Sequence, residues 1–219
     1  MPEKQYQVLK RVRPWQGAYF YQKSEVIYQL TYAFCHRFLP AHGDRTVDQM
    51  VQAARSGKQN IVEGIEDGET STELHLKLLG VARSSLQELR QDYHDYLVAR
   101  QLTIWTLQHP RYTTMREFCK SHNKLEDYQP FFEKWDAEVM ANTAITLCYQ
   151  VDTMLNSHLR TLEKEFVEQG GIKERMHAAR TGYRQQQDTE LAHLRQLVPQ
   201  LQSEIARLQK ILQANGIEY

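Results

Sequence analysis

Residues whose spacing could bind a metal ion are few in this 219-residue sequence. Cys119 and His122 have the spacing of two zinc ligands, but a structural zinc site needs four. One Glu-x-x-His pair is present, Glu190 to His193, whereas a di-iron site in a helical bundle needs two such pairs and two further glutamates. We therefore expect a buried Cys119, a surface His122, and no metal or other cofactor.

Phosphate-binding and catalytic motifs give no better match. Ser56-Gly57-Lys58-Gln59 resembles the end of a phosphate-binding loop, but Gln52 occupies the place of the first glycine. Gln59 also replaces the Ser or Thr that would hold magnesium. The sequence lacks GxGxxG, HExxH and GxSxG. We therefore predict a protein that is not an enzyme.

Basic side chains are the stronger candidates for a functional contact. In the N-terminal arm they alternate with aromatic residues that could stack on bases. On the predicted second helix, Arg55 and Lys58 lie three residues apart and share a face, where they could hold phosphates. The alternatives are a solvated surface with salt bridges and an arm that docks on its own domain. The candidate nucleic-acid-binding residues are Lys10, Arg11, Arg13, Lys23, Arg55, Lys58, Lys173, Arg175, Arg180 and Arg184.

The distribution of charge favours the two ends of the chain for any polyanion contact. The formal net charge is zero, yet residues 1–43 hold six basic and two acidic residues, and residues 172–219 hold seven and five. No stretch has the roughly 18 uninterrupted apolar residues of a membrane helix, and the N-terminus lacks the apolar region of a secretory signal. Three widely spaced cysteines favour reduced thiols. We expect a cytoplasmic protein without membrane contact.

Helical periodicity dominates the elements that must position these residues. Four amphipathic helices are predicted. The first spans 24–39 with Ser24 as its cap, and the second spans 44–64 with Asp44 as its cap. The third follows a capping box formed by Thr70 and Glu73, and the fourth spans 135–168. Gly170 and Gly171 should end the fourth. Such helices bury their apolar stripes only together. The sequence thus predicts an all-α fold, in which an arm (1–20) precedes an antiparallel up-down-up-down four-helix bundle (21–171).

Residues 101–134 interrupt the predicted bundle between its third and fourth helices. The segment is long for a bundle connection and rich in aromatic residues. It is either a packed structural excursion or a binding loop. A short helix is expected near Thr113–Ser121.

The tail, residues 172–219, contains a heptad repeat. Apolar residues occupy the a positions (Leu191, Val198, Ile205 and Leu212) and the d positions (Leu194, Leu201 and Leu208). Largely β-branched a positions with leucine at d favour a parallel dimer, although the stripe could instead fold back on its own bundle. Pro199 should kink the helix, or split it so that a new helix starts there.

The region Gly43–Tyr93 resembles the four-helix bundle family of 23S rRNA intervening-sequence proteins. The similarity rests on N-I-x-E-G followed by S-L-x-E-L, and the tail resembles the C-terminal suffix region of longer bacterial members. We expect structural roles for the motif residues: Asn60 should satisfy backbone groups where the second helix ends, and Gly64 should adopt a positive φ. The motif residues are Asn60, Ile61, Glu63, Gly64, Ser85, Leu86, Glu88 and Leu89.

The resemblance implies a left-handed bundle that assembles into homopentameric rings and has no established enzymatic activity. Relatives within that family include the accessory protein of diversity-generating retroelements, which binds its reverse transcriptase and nucleic acid. We therefore predict a self-associating scaffold or adaptor that binds a protein partner. The alternative is an accessory protein that binds RNA or DNA.

Overall fold

The computed structural model describes residues 8–9, 13–40 and 45–215, which contain six α-helices and no strand. This confirms the predicted all-α class. Leu9–Ile172 forms one compact unit, and the chain from Lys173 belongs, with Val8, to a second. No helix in the described part is both long and apolar enough to cross a membrane. The helices are α1 (Tyr19–Phe38), α2 (Arg45–Asp67), α3 (Thr72–Ala99), α4 (Pro110–Ser121), α5 (Ala137–Gln169) and α6 (Ile172–Ala214).

Four long helices share the core of the first unit. Helix α1 packs against α2 and α5, α3 packs against the same two helices, and α4 packs on α5. Each helix contributes an apolar stripe with helical spacing, so the core is continuous along their length. Among the largest side chains at its centre, all fully buried, are Ile27, Leu30, Phe34, Met50, Ile61, Leu79, Leu89, Tyr93 and Met140.

Helix α1 starts five residues before the predicted cap, so that prediction is wrong. Ser24 lies inside the helix, buried, and donates a hydrogen bond to the Tyr21 carbonyl at 2.7 Å. The actual N-cap is Ala18. Phe20 and Tyr21 pack against the core, and this packing favours helix upstream of the serine.

Helix α2 does not end at Gly64, as predicted, but continues to Asp67. Gly64 is buried, and a Cβ there would lie 3.2 Å from the Cβ of Leu78. The glycine therefore permits close approach of α3 and forms no left-handed turn; in the described residues Gly170 is the glycine with a positive φ, 70°. Asn60 donates to the Ser56 carbonyl at 2.9 Å within the helix and does not cap its end. The predicted cap Asp44 lies outside the described residues.

The ends of α3 and α5 follow ordinary capping chemistry. The cap of α3 is Ser71, one residue after the predicted Thr70, and its side chain accepts from the Leu74 amide at 3.1 Å. Asp136 caps α5 by accepting from the Val139 amide at 2.8 Å. Gly170 ends α5, which confirms the predicted stop.

The excursion 101–134 is packed. It contains α4, which begins three residues before the predicted short helix, and two 3-10 turns at Leu125–Asp127 and Gln129–Phe131. Trp105, Cys119, Tyr128 and Phe132 are buried.

Helix α6 runs without a break from Ile172 to Ala214, so Pro199 does not split it. A single proline removes one backbone hydrogen bond, and 43 residues of helix tolerate that loss locally.

Candidate functional site

One cleft of the first unit is built partly on the segment after α3. Asn142 of α5 donates to the Thr103 carbonyl at 2.9 Å and accepts from the Trp105 amide at 2.8 Å. Glu138 accepts from the Trp105 indole N–H at 3.0 Å. That hydrogen bond, the largest influence, holds the pKa of Glu138 below its usual range, although partial burial opposes it. These contacts fix residues 103–105 on α5.

The carboxyl end of α4 is held by a buried lysine. Lys23 of α1 is 3% exposed, and its ammonium donates to the carbonyls of Cys119 and His122. The last carbonyls of a helix lack partners within the helix, so these bonds satisfy acceptors that the helix itself leaves unpaired. Burial lowers the pKa of Lys23. Tyr128 also donates to the His122 carbonyl, at 2.9 Å.

A cleft of about 950 Å³ lies between these two attachment points. Residues of α1, α3, α4, α5 and the excursion line it, and none of the described lining residues is a carboxylate. Three groups of side chains matter: the cations Lys23, Arg116 and Lys120, the aromatic residues Tyr19, Trp105, Tyr112 and Tyr149, and the amides Asn123, Asn142 and Gln150.

Charge and hydrogen bonding around the cleft are incompletely balanced. Glu117 is 3.9 Å from the Arg116 guanidinium and 4.0 Å from the Lys120 ammonium, and all three side chains are more than half exposed. Such exposed pairs contribute little energy. Gln150 donates to the Arg116 carbonyl at 3.1 Å, while its Oε1 is buried with no hydrogen-bond partner among the described residues.

Helix α6 carries the predicted seam as an exposed apolar stripe. Six of its seven residues each expose 47–54% of their surface, and the seventh, Leu212, is half-buried. Glu190 and Arg195, both exposed, flank the first turn of the stripe. The six exposed residues are Leu191, Leu194, Val198, Leu201, Ile205 and Leu208.

Three exposed cations lie on the same face of α6, upstream of the stripe. Arg180 and Arg184 follow Lys173 by seven and eleven residues, spacings that return to one side of a helix. In the heptad frame these residues occupy d, d and a positions, so they continue the line of the seam. Arg175 faces elsewhere and donates from Nε to the Val8 carbonyl at 3.1 Å.

The other predicted cations do not gather into one patch. Lys58 pairs with Glu25 at 3.0 Å and lies over the Tyr28 ring, 4.5 Å from its centroid. Arg55 is exposed on α2, and Arg13 is exposed in the segment before α1. Lys10 and Arg11 lie outside the described residues. Of the ten candidate cations, and among those that the structure describes, Lys23 lines the cleft.

The motif residues lie at the contact between α2 and α3. Ser85 and Ser56 share a hydrogen bond of 3.0 Å between their hydroxyls. Ile61, Leu86 and Leu89 are buried in the core, as is Gly64. Glu63 and Glu88 are exposed, and Glu63 accepts from the Gln59 amide at 3.2 Å. The buried members and Ser85 therefore contribute to the core and to the contact between the two helices.

Metal and thiol chemistry have no site among the described residues. No group of three His, Cys, Asp or Glu residues there could hold a metal ion. Cys119 is buried, whereas His122, expected at the surface, is half-buried and stacks on Phe118. All three cysteines are free and buried, and burial raises their pKa to about 12 for Cys35, 11 for Cys119 and 12 for Cys148.

Sequence reasoning missed two of the three cations of the cleft, Arg116 and Lys120. Tyr112, Arg116 and Lys120 follow one another by four residues, a signal for one shared face of α4. No family model, no curated protein and no solved structure matches the chain. The resemblance to intervening-sequence proteins stays a prediction from its motifs.

Proposed function

We propose that this protein is a non-enzymatic scaffold that self-associates by pairing α6 with α6 of a second copy. The observation that carries the proposal is the apolar stripe on α6, where six residues in heptad register are each about half exposed. Contiguous apolar surface of this kind marks an interaction site. Knobs-into-holes packing against an identical helix would bury it.

Charge at the edge of the stripe favours a parallel arrangement. Glu190 occupies a g position and Arg195 the next e position, and both are exposed. In a parallel pair each g residue faces the e residue of the following heptad on the other helix. Two Glu190–Arg195 ion pairs would therefore form, one on each side of the seam.

The first unit is proposed to be the antiparallel, up-and-down four-helix bundle of the intervening-sequence family. Short connections support this arrangement: residues 39–44 join α1 to α2 and residues 68–71 join α2 to α3. The family resemblance implies a ring of five copies, whereas the heptad composition alone favours two. Free cysteines suit a reducing compartment, which supports a cytoplasmic location.

Light scattering on the full chain tests self-association. We expect a mass above that of one chain, and a lower mass for Leu201→Lys, which places a charge at the central d position. Ala206→Lys, at an exposed b position, is the matched control and should keep the wild-type mass. Circular dichroism checks that both variants stay helical. A monomeric wild-type chain, or a Leu201→Lys variant of unchanged mass, would contradict the proposal.

A second candidate function, binding of RNA or DNA, is favoured by the basic stripe of α6. Lys173, Arg180 and Arg184 occupy core positions of the extended heptad frame and are exposed. In a parallel pair these cations would repel one another across the seam, so the two helices would separate there. A polyanion placed between them would neutralise both sets.

Titration with RNA and with DNA at low and moderate salt tests this second function. We expect affinity to fall as salt rises, and the double variant Arg180→Gln/Arg184→Gln to reduce both the affinity and its salt dependence. Arg207→Gln, an exposed residue off the seam, is the control. The proposal is refuted if nothing binds at low salt, or if the double variant binds as well as the control.

A further inference from the structure

The cleft beside α4 combines a cationic edge with aromatic walls. We propose that it binds a small anionic ligand carrying a planar ring, the chemistry of a nucleoside monophosphate. The site lies wholly within residues 19–154 of the first unit, so the inference does not depend on self-association. Its volume, about 950 Å³, lies in the usual range of small-molecule sites.

The anionic group is placed by two cations on α4. Arg116 and Lys120 lie one helical turn apart and both line the cleft. Glu117 is their described counter-charge, at 3.9 and 4.0 Å, and these exposed contacts are readily exchanged for a ligand. Arginine binds phosphate through two parallel N–H groups, and a nearby lysine adds a second positive charge. The two side chains together suit a dianion.

The buried ammonium of Lys23 adds positive charge behind this edge. It donates to backbone carbonyls of Cys119 and His122, so it cannot leave to pair with a carboxylate. A neighbouring acceptor in the cleft is therefore attracted without any movement of the lysine. Because the same bonds hold the end of α4, Lys23 also fixes the helix that carries Arg116 and Lys120.

The ring is placed by the aromatic and amide side chains. Trp105 is held in orientation by its indole hydrogen bond to Glu138, at 3.0 Å, so this wall of the cleft is preformed. The Tyr149 ring has the Arg90 guanidinium 4.2 Å from its centroid, which also restricts its movement. Gln150 also lines the cleft, and its side-chain amide donates to the Arg116 carbonyl at 3.1 Å, which joins this wall to the helix that carries the two cations.

Calorimetric titration of the full chain tests the proposal with three probes: adenosine monophosphate, adenosine and inorganic phosphate. If the cleft reads both the anion and the ring, adenosine monophosphate should bind at least about tenfold more tightly than either fragment. A nucleotide that binds no better than adenosine, or no better than phosphate, would overturn the proposal.

A charge series on α4 locates the binding site. Arg116→Gln and Lys120→Gln should each weaken nucleotide binding roughly tenfold and leave adenosine binding unchanged, because each removes a charged hydrogen bond. Glu117→Gln should strengthen nucleotide binding, since it removes the competing carboxylate. Arg160→Gln, exposed on α5 and outside the cleft, is the matched control and should bind as wild type.

Several outcomes would overturn the assignment. The first is no heat with the nucleotide at millimolar concentration. The second is an equal loss of affinity in Arg116→Gln and in Arg160→Gln, which would place the anion elsewhere. The third is binding of an oligonucleotide alone, with the mononucleotide inert, which would indicate a nucleic-acid surface and exclude a small-ligand cleft.

Discussion

Replacing Gly57 by alanine tests whether α2 and α3 approach as closely as the structure shows. A Cβ at position 57 would lie 2.6 Å from both Cγ and Cδ2 of Leu86, whereas ordinary contacts are 3.4 Å or longer. Leu86 is 1% exposed, so its side chain has little room to withdraw. Overpacking of a well-filled core costs about 1–3 kcal/mol.

Gly80→Ala isolates that cost because Gly80 also lies inside a helix. A Cβ at Gly80 would have no neighbour within 4 Å. Both substitutions gain the same helix propensity, about 1 kcal/mol relative to glycine. We expect Gly80→Ala to stabilise the protein by that amount and Gly57→Ala to be about 1–3 kcal/mol less stable than Gly80→Ala.

Urea unfolding followed by circular dichroism measures both variants. The urea concentration at the midpoint should rise for Gly80→Ala and be lower for Gly57→Ala than for Gly80→Ala. The dependence of the unfolding free energy on urea concentration should stay constant if only stability changes. Trimming the neighbour with Leu86→Ala should remove the penalty at position 57, so that Gly57→Ala becomes stabilising in that background. If Gly57→Ala and Gly80→Ala have the same midpoint in the wild-type background, the close approach of α2 and α3 is refuted.

Three further predictions concern stability. Lys23→Ala should lower the free energy of unfolding by about 1–3 kcal/mol, because the Cys119 carbonyl loses its side-chain donor and the His122 carbonyl keeps only that of Tyr128; the exposed Lys134→Ala is the control in urea unfolding. Burial lowers the pKa of His158 from 6.5, opposed by Glu165, so the folded state holds fewer protons than the unfolded state. The free energy of unfolding should therefore fall as the pH drops below 6.5. If a His158→Gln variant shows the same dependence of unfolding free energy on pH as the wild type, His158 is not the cause. Asp136→Ala should cost about 0.5–2 kcal/mol through loss of the α5 cap, whereas Asp136→Asn should retain most of it, as measured by thermal unfolding.

The long helices were predictable because helical periodicity is a property of neighbouring residues. Their ends were less so. Ser24 is a good cap by type, but aromatic packing extends α1 upstream of it. Gly64 has the same appearance in sequence whether it forms a turn or admits a neighbouring helix, and only the position of Leu78 distinguishes the two.

The cleft could not be predicted because its walls come from separate segments. Tyr112, Arg116 and Lys120 belong to α4, while Tyr149 and Gln150 belong to α5. The hydrogen bonds that join these segments, such as that from the Trp105 amide to Asn142, connect residues 37 positions apart. No local pattern reports such a contact. The α6 stripe was predictable because one helix contains it entirely.

The three buried thiols allow local unfolding of the protein to be measured by chemical modification. Cys35, Cys119 and Cys148 lie on α1, α4 and α5, and their raised pKa values keep them protonated and unreactive while they stay buried. The rate at which a thiol reagent modifies each one therefore measures how often its helix detaches. A ligand in the cleft should slow the modification of Cys119 more than that of Cys35, so the molecule reports occupancy without an added label.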